Sequence, residues 1–443
     1  VRKILKKGIW LICAAVLLST LSGCFSITAD ELYSLPQASE EYLNLQVRIN
    51  AVLADGAVYA PPTYGPNRQS VQLIDLDSDG VNEALAFFKM SGDKPLKIYI
   101  YKKVEDSYET AEVLEGDGTA LESIRYADMD GDGISELVVG WQMSAALLHM
   151  SIYSIKNYES VQLKSADYTE LAVNDMDGNG NDDVIVLRVS SSELPGEAEV
   201  FTLMADGEVV ASSSKLSKGL ESISRVIQGN LSDGTPAIFI EGELTDNNII
   251  TDIFAWRNGG IVNVTANLSS GISEKTVRSY EVYSSDINED GVIEVPAPRL
   301  LEQETETNYY VIDWNTFNSV GDSRDVFTTY HNFQERWYLI LPDDWIGRIN
   351  IKREDSASGE RTIVFSYLPD SGDAYEDFLK IYTLTGDNKD DRAKMPGRFR
   401  LTDDGDTIYA AELLAVAKEL TVNRTVITQN FMLIYSEWST GVV

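Results

Sequence analysis

The sequence predicts a mainly β protein: a β-propeller of about five four-stranded blades, with room for degenerate ones at its ends, followed by a small α+β C-terminal domain. Three observations predict it. A nine-residue acidic turn recurs at starts 75, 128, 175, 229 and 286, giving spacings of 53, 47, 54 and 57 residues; self-similarity at such a period marks a repeat architecture. The well-formed copies are flanked by short apolar or β-branched runs, which is a hairpin signal. Residues 329–443 contain no such turn, but carry several strand-like runs and one helix-like stretch.

Residues 1–23 read as an export signal. Arg2, Lys3, Lys6 and Lys7 form a positive head, and the mostly apolar stretch 9–21 is 13 residues long, too short for an ordinary membrane span. It ends in Leu21-Ser22-Gly23-Cys24, which resembles the lipobox of bacterial lipoproteins. That resemblance implies acylation of Cys24 and a lipid anchor on the outer face of the bacterial cell membrane. A plain anchor helix with an incidental cysteine is the alternative. Residues 24–39 are polar and read as a tether. Cys13 and Cys24 are the two cysteines, so the exported part is expected to hold no disulfide in a compartment that permits them. Residues 40–55 place Leu43, Val47, Ile49, Val52 and Leu53 near helical spacing, and the Pro61-Pro62 stretch follows as a breaker.

The first acidic turn is Asp75-Leu76-Asp77-Ser78-Asp79-Gly80-Val81-Asn82-Glu83. Its oxygen ligands, Asp75, Asp77, Asp79 and Glu83, stand at positions 1, 3, 5 and 9. They converge if the backbone curls around one point, and the glycine at position 6 allows that curl. The second copy supplies Asp128, Asp130, Asp132 and Glu136. The third supplies Asp175, Asp177, Asn179 and Asp183, and the fourth Asp286, Asn288, Asp290 and Glu294. The copy at 229–237 keeps Asp233-Gly234 but has lost the ligands. Hard oxygen donors in this number suit Ca2+ better than Zn2+ or Cu2+. Position 2 is apolar each time (Leu76, Met129, Met176, Ile287) and is expected to tuck under the loop. An EF-hand needs a bidentate Glu at position 12; here that position holds Ala86, Val139, Val186 and Ala297.

These loops, set between strands, resemble the FG-GAP/VCBS-type repeats of integrin α-chain-like β-propellers, over roughly residues 40–325. The resemblance implies Ca2+ bound within each such blade, up to four ions, chiefly structural, and a propeller domain over 40–328. Metal-free Asp-Gly turns are the alternative, above all at the third loop, where Asp182 adds repulsion.

Each repeat carries four strand-like runs: 71–74, 83–90, 96–103 and 107–114 in the first, and 122–127, 136–142, 148–155 and 160–166 in the second. Four antiparallel strands per repeat is the propeller blade, and stacking buries both of its apolar faces. Over 329–443, the runs 337–342, 349–352, 362–367 and 379–384 read as strands. Residues 423–438 read as a helix with Val426, Phe431, Ile434 and Tyr435 near one face. Asp403-Asp404-Gly405-Asp406 lacks the alternating spacing and reads as a plain acidic turn.

The formal net charge is −34, and losing residues 1–23 removes four cations and no acid. Such a field argues against nucleic acid, and against anionic lipid, as partners recognised by general charge. The ligand positions of the four loops hold 14 carboxylates, part of that excess. His149 and His331 stand in no metal or triad pattern and read as structural. No Gly-x-Ser-x-Gly, His-Glu-x-x-His or phosphate-loop pattern occurs. Trp141, Trp256 and Trp314 are able to stack on sugars but read first as blade core. The expectation is a surface-anchored binding or adhesion module rather than an enzyme, with an extracellular protein or glycan as its partner. The rival is an extracellular carbohydrate-active enzyme whose central cleft holds two carboxylates about 5–10 Å apart.

Overall fold

The computed structural model describes residues 40–105, 107–191, 195–301, 307–355, 359–370, 374–414 and 419–434. The segments expected to be an export signal and a tether, with Cys24, lie outside the described residues. Helix α1 (Glu40–Ala54) forms where the periodicity placed it. Its buried stripe is Leu45 and Ile49, one turn apart, with Val52 and Leu53 beside them, whereas Leu43 and Val47 face solvent.

The strands form six antiparallel sheets. In the first, β1 (Val58–Tyr59) and β2 (Val71–Ile74) pair with opposite ends of β3 (Glu83–Lys89), which continues through β4 (Leu96–Val104) to β5 (Ser107–Gly116). The second is a plain meander of β6 (Ala120–Ala127), β7 (Glu136–Gln142), β8 (Leu148–Ser154) and β9 (Val161–Tyr168). The third repeats it with β10 (Glu170–Asn174), β11 (Asp183–Arg188), β12 (Glu197–Leu203) and β13 (Val209–Lys215). The fourth has β14 (Leu220–Asn230), β15 (Pro236–Leu244), β16 (Ile249–Arg257) and β17 (Gly260–Asn263). The fifth runs β18 (Val295–Leu300), β19 (Tyr310–Phe317), β20 (Ser323–Asn332) and β21 (Trp337–Leu341). The sixth comprises β22 (Ile349–Arg353), β23 (Glu360–Tyr367), β24 (Glu376–Thr385), β25 (Arg398–Asp404) and β26 (Thr407–Leu413), with β26 lying between β24 and β25.

The two-residue period of a strand explains how the sheets stack. On β7, Leu137, Val139 and Trp141 meet Phe87, Ile98 and Leu114 of the first sheet. Val138, between them, turns the other way and meets Val184, Val186 and Phe201 of the third. Ile185 and Val200 then meet Ile238 and Phe254 of the fourth sheet; Phe239 and Ile253 meet Val295 and Phe317 of the fifth; Trp337 and Leu339 meet Phe365 and Ile381 of the sixth. Strands buried on both faces read as nearly continuous apolar runs, as β7 and β11 do. The result is the predicted mainly β, propeller-type stack of blades. The two outward faces are covered by helices: α1 lies on Ala84, Phe88 and Tyr101 of the first sheet, and Ala393 of α2 (Lys389–Ala393) lies on Leu384 and Ile408 of the sixth.

The runs expected as strands at 349–352, 362–367 and 379–384 form β22, β23 and β24 of the sixth sheet, and the run at 337–342 is β21 of the fifth. One expectation is corrected in the C-terminal part. The helix expected over 423–438 is shorter. Helix α3 is Arg424–Asn430, capped by the Asn423 side chain accepting from Val426 N. Residues Phe431–Leu433 then leave as β27 and pair with Trp337–Leu339. Of the residues that suggested one helical face, Val426 stays in the helix and Phe431 serves that edge strand, its ring centre 5.4 Å from that of Trp337; Tyr435 lies outside the described residues.

In a stack of this kind stability is roughly a sum of local units and their interfaces. Ile49→Ala is therefore expected to weaken the first sheet locally, by about 2–5 kcal/mol. Hydrogen exchange should show lost protection in β3 and β4 and none in β23 and β24.

Candidate metal centres

All four complete loops share one internal wiring. The position-1 Asp accepts from the position-6 glycine N–H: Gly80 to Asp75 (2.9 Å), Gly133 to Asp128 (3.0 Å), Gly180 to Asp175 (2.9 Å) and Gly291 to Asp286 (2.8 Å). Position 6 needs glycine because its φ lies between +86° and +92° in all four. The position-3 side chain accepts from the position-5 N–H, and the position-5 side chain from the position-7 N–H, as in Asp77–Asp79 (3.3 Å) and Asp79–Val81 (2.7 Å). These short side-chain-to-backbone bonds curl the loop.

The position-9 acid closes it. Glu83, Glu136, Asp183 and Glu294 each accept the N–H of position 2, at 2.9, 3.1, 3.0 and 3.1 Å. Position 2 is buried, as expected: Leu76, Met129, Met176 and Ile287 all belong to the core. That burial drags the acid out of water with it; Glu136 and Glu294 are 0% exposed. Burial pushes the carboxyl of Glu136 up to about 7, that of Glu294 to about 7 and that of Asp183 to about 6, and raises Glu83 as well.

Three loops each bring together three of the four expected ligand residues. Asp75, Asp77 and Glu83 offer oxygens within 4.8 Å of one another, as do Asp128, Asp130 and Asp132, and Asp175, Asp177 and Asp183, while Asp79, Glu136 and Asn179 stand outside these clusters. Two oxygens each about 2.4 Å from one ion lie at most about 4.8 Å apart, so the spacing admits one shared metal ion. The fourth loop shows no such cluster among the described residues; there Asn288 Nδ2 donates to Asp290 Oδ2 (3.0 Å) and Glu294 Oε1 (3.4 Å), turning its nitrogen toward the acids. The Asp79 and Asn179 side chains serve chiefly as turn acceptors. Glu136 Oε1 is buried with no hydrogen-bond partner among the described residues. The degenerate copy has a different solution. Asp233 Oδ2 accepts from Ser319 N (2.9 Å) and Ser319 Oγ (2.6 Å). Burial works to raise this carboxyl, but those bonds and Thr235 outweigh it and hold it at about 2.

Neighbouring loops touch. The position-8 N–H of one loop donates to the start of the loop before it: Ser135 N to Leu76 O (2.8 Å), Asp182 N to Asp128 O (3.0 Å) and Ile293 N to Asn230 O (3.1 Å). Sequence reasoning missed two residues. The turn after β8 sends Lys156 Nζ to Asp130 Oδ2 (2.9 Å) and Asp132 Oδ2 (2.5 Å) of the second loop. It sends the Tyr158 hydroxyl to Glu83 Oε1 of the first (2.9 Å). Nothing in their spacing announces this, because they approach from another hairpin. His149 Nδ1 meets Asp167 Oδ1 at 2.7 Å; His331 is a core residue whose burial drives its pKa down to about 3. Trp314 is blade core, its indole N–H donating to Thr329.

An acid whose pKa is higher folded than unfolded holds its proton more tightly in the folded chain. It costs nothing below its ordinary value and destabilises as pH rises through the folded one. Without metal, the loop contribution to stability should therefore fall between about pH 5 and about pH 8. A bound cation favours the charged form and opposes this. Melting temperatures in chelator should drop over that range, and saturating Ca2+ should flatten the curve; parallel curves would contradict the reading.

No family model and no curated protein matches the chain. Solved structures do align with it, and three of them illustrate the likeness. One is a protein from Lactobacillus plantarum, at 9% identity over 72% of this chain and 85% of that one, with a TM-score of 0.26. One is a protein provisionally named an exo-β-1,3-galactanase from Bifidobacterium bifidum s17, at 11% identity over 62% and 93%, with a TM-score of 0.24. One is provisionally named a 6-phosphogluconolactonase from Bacteroides fragilis NCTC 9343, at 10% identity over 69% and 82%, with a TM-score of 0.26. Likenesses at these scores carry no argument about activity, and the fold assignment stands on the six sheets themselves.

Proposed function

We propose that this chain is an exported, lipid-anchored binding module of the FG-GAP/VCBS-like kind, stabilised by Ca2+ in its acidic loops and directed at an extracellular protein or glycan. The observation that carries the reading is the convergence of carboxylate oxygens within 4.8 Å in three successive loops, each closed by a buried acid. The lipobox-like segment ending at Cys24 supports the location. The ion's role is structural: it offsets repulsion among the carboxylates of a loop that pins the first hairpin of its blade. Binding to the folded chain alone adds stability by mass action, about 2.7 kcal/mol per site at a hundredfold excess over Kd. Melting the chain with Ca2+ and with chelator tests this. A higher melting temperature in Ca2+ is expected, and identical values would overturn the reading.

A second reading, saccharide recognition, has one specific observation behind it. A groove of about 550 Å³ runs between the first and second sheets, lined in part by Trp141, Tyr153, His149, Gln162, Asp117 and Asp167. It lies between blades rather than in the central cleft expected of the rival hypothesis. Gly116 makes room for the indole, since a Cβ there would stand 2.5 Å from Trp141. An aromatic wall beside a few convergent polar groups is the ordinary lining of a small-molecule site. Trp141→Ala is expected to weaken glycan binding by roughly tenfold or more, measured against an array of soluble cell-wall and plant oligosaccharides. Failure of the unaltered chain to bind any of them would remove this reading.

A further inference from the structure

The second loop differs from the other three in that a cation of the chain itself already stands in it. Lys156 leaves the end of the second sheet's β8 and places Nζ between Asp130 and Asp132, at 2.9 and 2.5 Å. Those two acids and Asp128 are the three whose oxygens cluster within 4.8 Å. Glu136 closes the same loop, fully buried. One of its oxygens takes the Met129 N–H at 3.1 Å, and the other has no partner among the described residues. An ammonium has three donors and one charge, so it offsets only part of the loop's negative charge and does not serve that oxygen.

The lysine is held there by its neighbours. Ile155 before it is in the core. Asn157 and Tyr158 after it both adopt the left-handed region, with φ of 57° and 59°, a conformation that costs an L-residue roughly 1–2 kcal/mol. Two hydroxyl contacts secure the turn, from Tyr158 to Glu83 Oε1 (2.9 Å) and to Asp77 Oδ2 (3.4 Å) of the first loop. The Lys156 side chain is 41% exposed, so its head can swing into water on a flexible stem without unfolding the turn.

The geometry points to Lys156 as a built-in plug of the second loop, occupying the cation seat at low calcium and leaving only when calcium displaces it. This rests on the reading of the loops as Ca2+ sites, and it orders them: the first and third loops fill before the second. The pair is partly exposed and screened by solvent, so removing the competitor should tighten the second seat by a few-fold to roughly tenfold.

The test compares the full chain with K156M, which keeps the stem but not the charge, and K156R, which keeps the charge. Calorimetric titration with CaCl2 gives ions bound per chain, and melting in chelator and in Ca2+ gives the structural consequence. At a free calcium level that leaves one seat of the unaltered chain empty, K156M is expected to take up one more ion than the unaltered chain, and K156R none. K156M is also expected to melt lower in chelator, where four acids face each other, and to recover in Ca2+. Equal uptake and affinity in all three overturn the plug and leave the metal reading standing. No uptake by any of them overturns both. A K156M chain that melts low in chelator and in Ca2+ alike overturns the plug and marks the lysine as a structural ion pair.

Discussion

The structure depends on one costly arrangement: a carboxylate drawn out of water to close each loop from beneath. The position-9 acid must reach the N–H of position 2, and position 2 is a core residue. The acid is therefore buried wherever the loop is formed. An isolated buried carboxylate is unfavourable unless it is paired or protonated, which is why burial raises Glu136, Asp183 and Glu294 toward neutrality. Each loop treats the acid's second oxygen differently. Glu83 receives the Tyr158 hydroxyl. Asp183 receives the Thr202 hydroxyl at 2.6 Å. Glu294 faces the Asn288 amide, and Glu136 Oε1 has no partner among the described residues. The degenerate copy avoids the problem by having Ala237 at position 9 and satisfying Asp233 from Ser319.

The loops occupy one end of the stack because the sheets leave them no other place. Each joins the first two strands of a blade, and each blade packs face to face on the next, so successive loops come within hydrogen-bonding distance. The position-8 bonds to the preceding loop are the outcome. They are modest individually, about 0.5–1.5 kcal/mol each, and the apolar interfaces below them supply most of the stability. The junction of the fourth and fifth sheets is the exception. There Glu241, fully buried, takes Arg278 at 2.7 Å and the Ser284 hydroxyl at 2.8 Å. Removing one member of such a set is far more harmful than the set is stabilising.

The sequence carried the repeat, the strand order within the first two blades, the loop wiring and the first helix, because each is written in local periodicity. Leu137, Val138 and Val139 alternate by one residue, and Gly80 or Gly133 fixes a turn by its own backbone. Two things were not local. The end of α3 depends on Phe431 finding Trp337, almost a hundred residues earlier. The occupants of the loops, Lys156 and Tyr158, belong to a different hairpin from the loops they enter. Apolar spacing near 431 suits a helix and an edge strand equally, and tertiary pairing decided between them.

That hairpin has a second role. Strands β8 and β9 carry His149, Tyr153 and Gln162 into the groove beside Trp141, and the turn between them carries Lys156 and Tyr158 into the loops. The two strands pair from Leu148–Tyr168 to Ser154–Val161, with one irregularity at Ile152/Tyr153. The first two loops and one wall of the groove are thus built on the same hairpin.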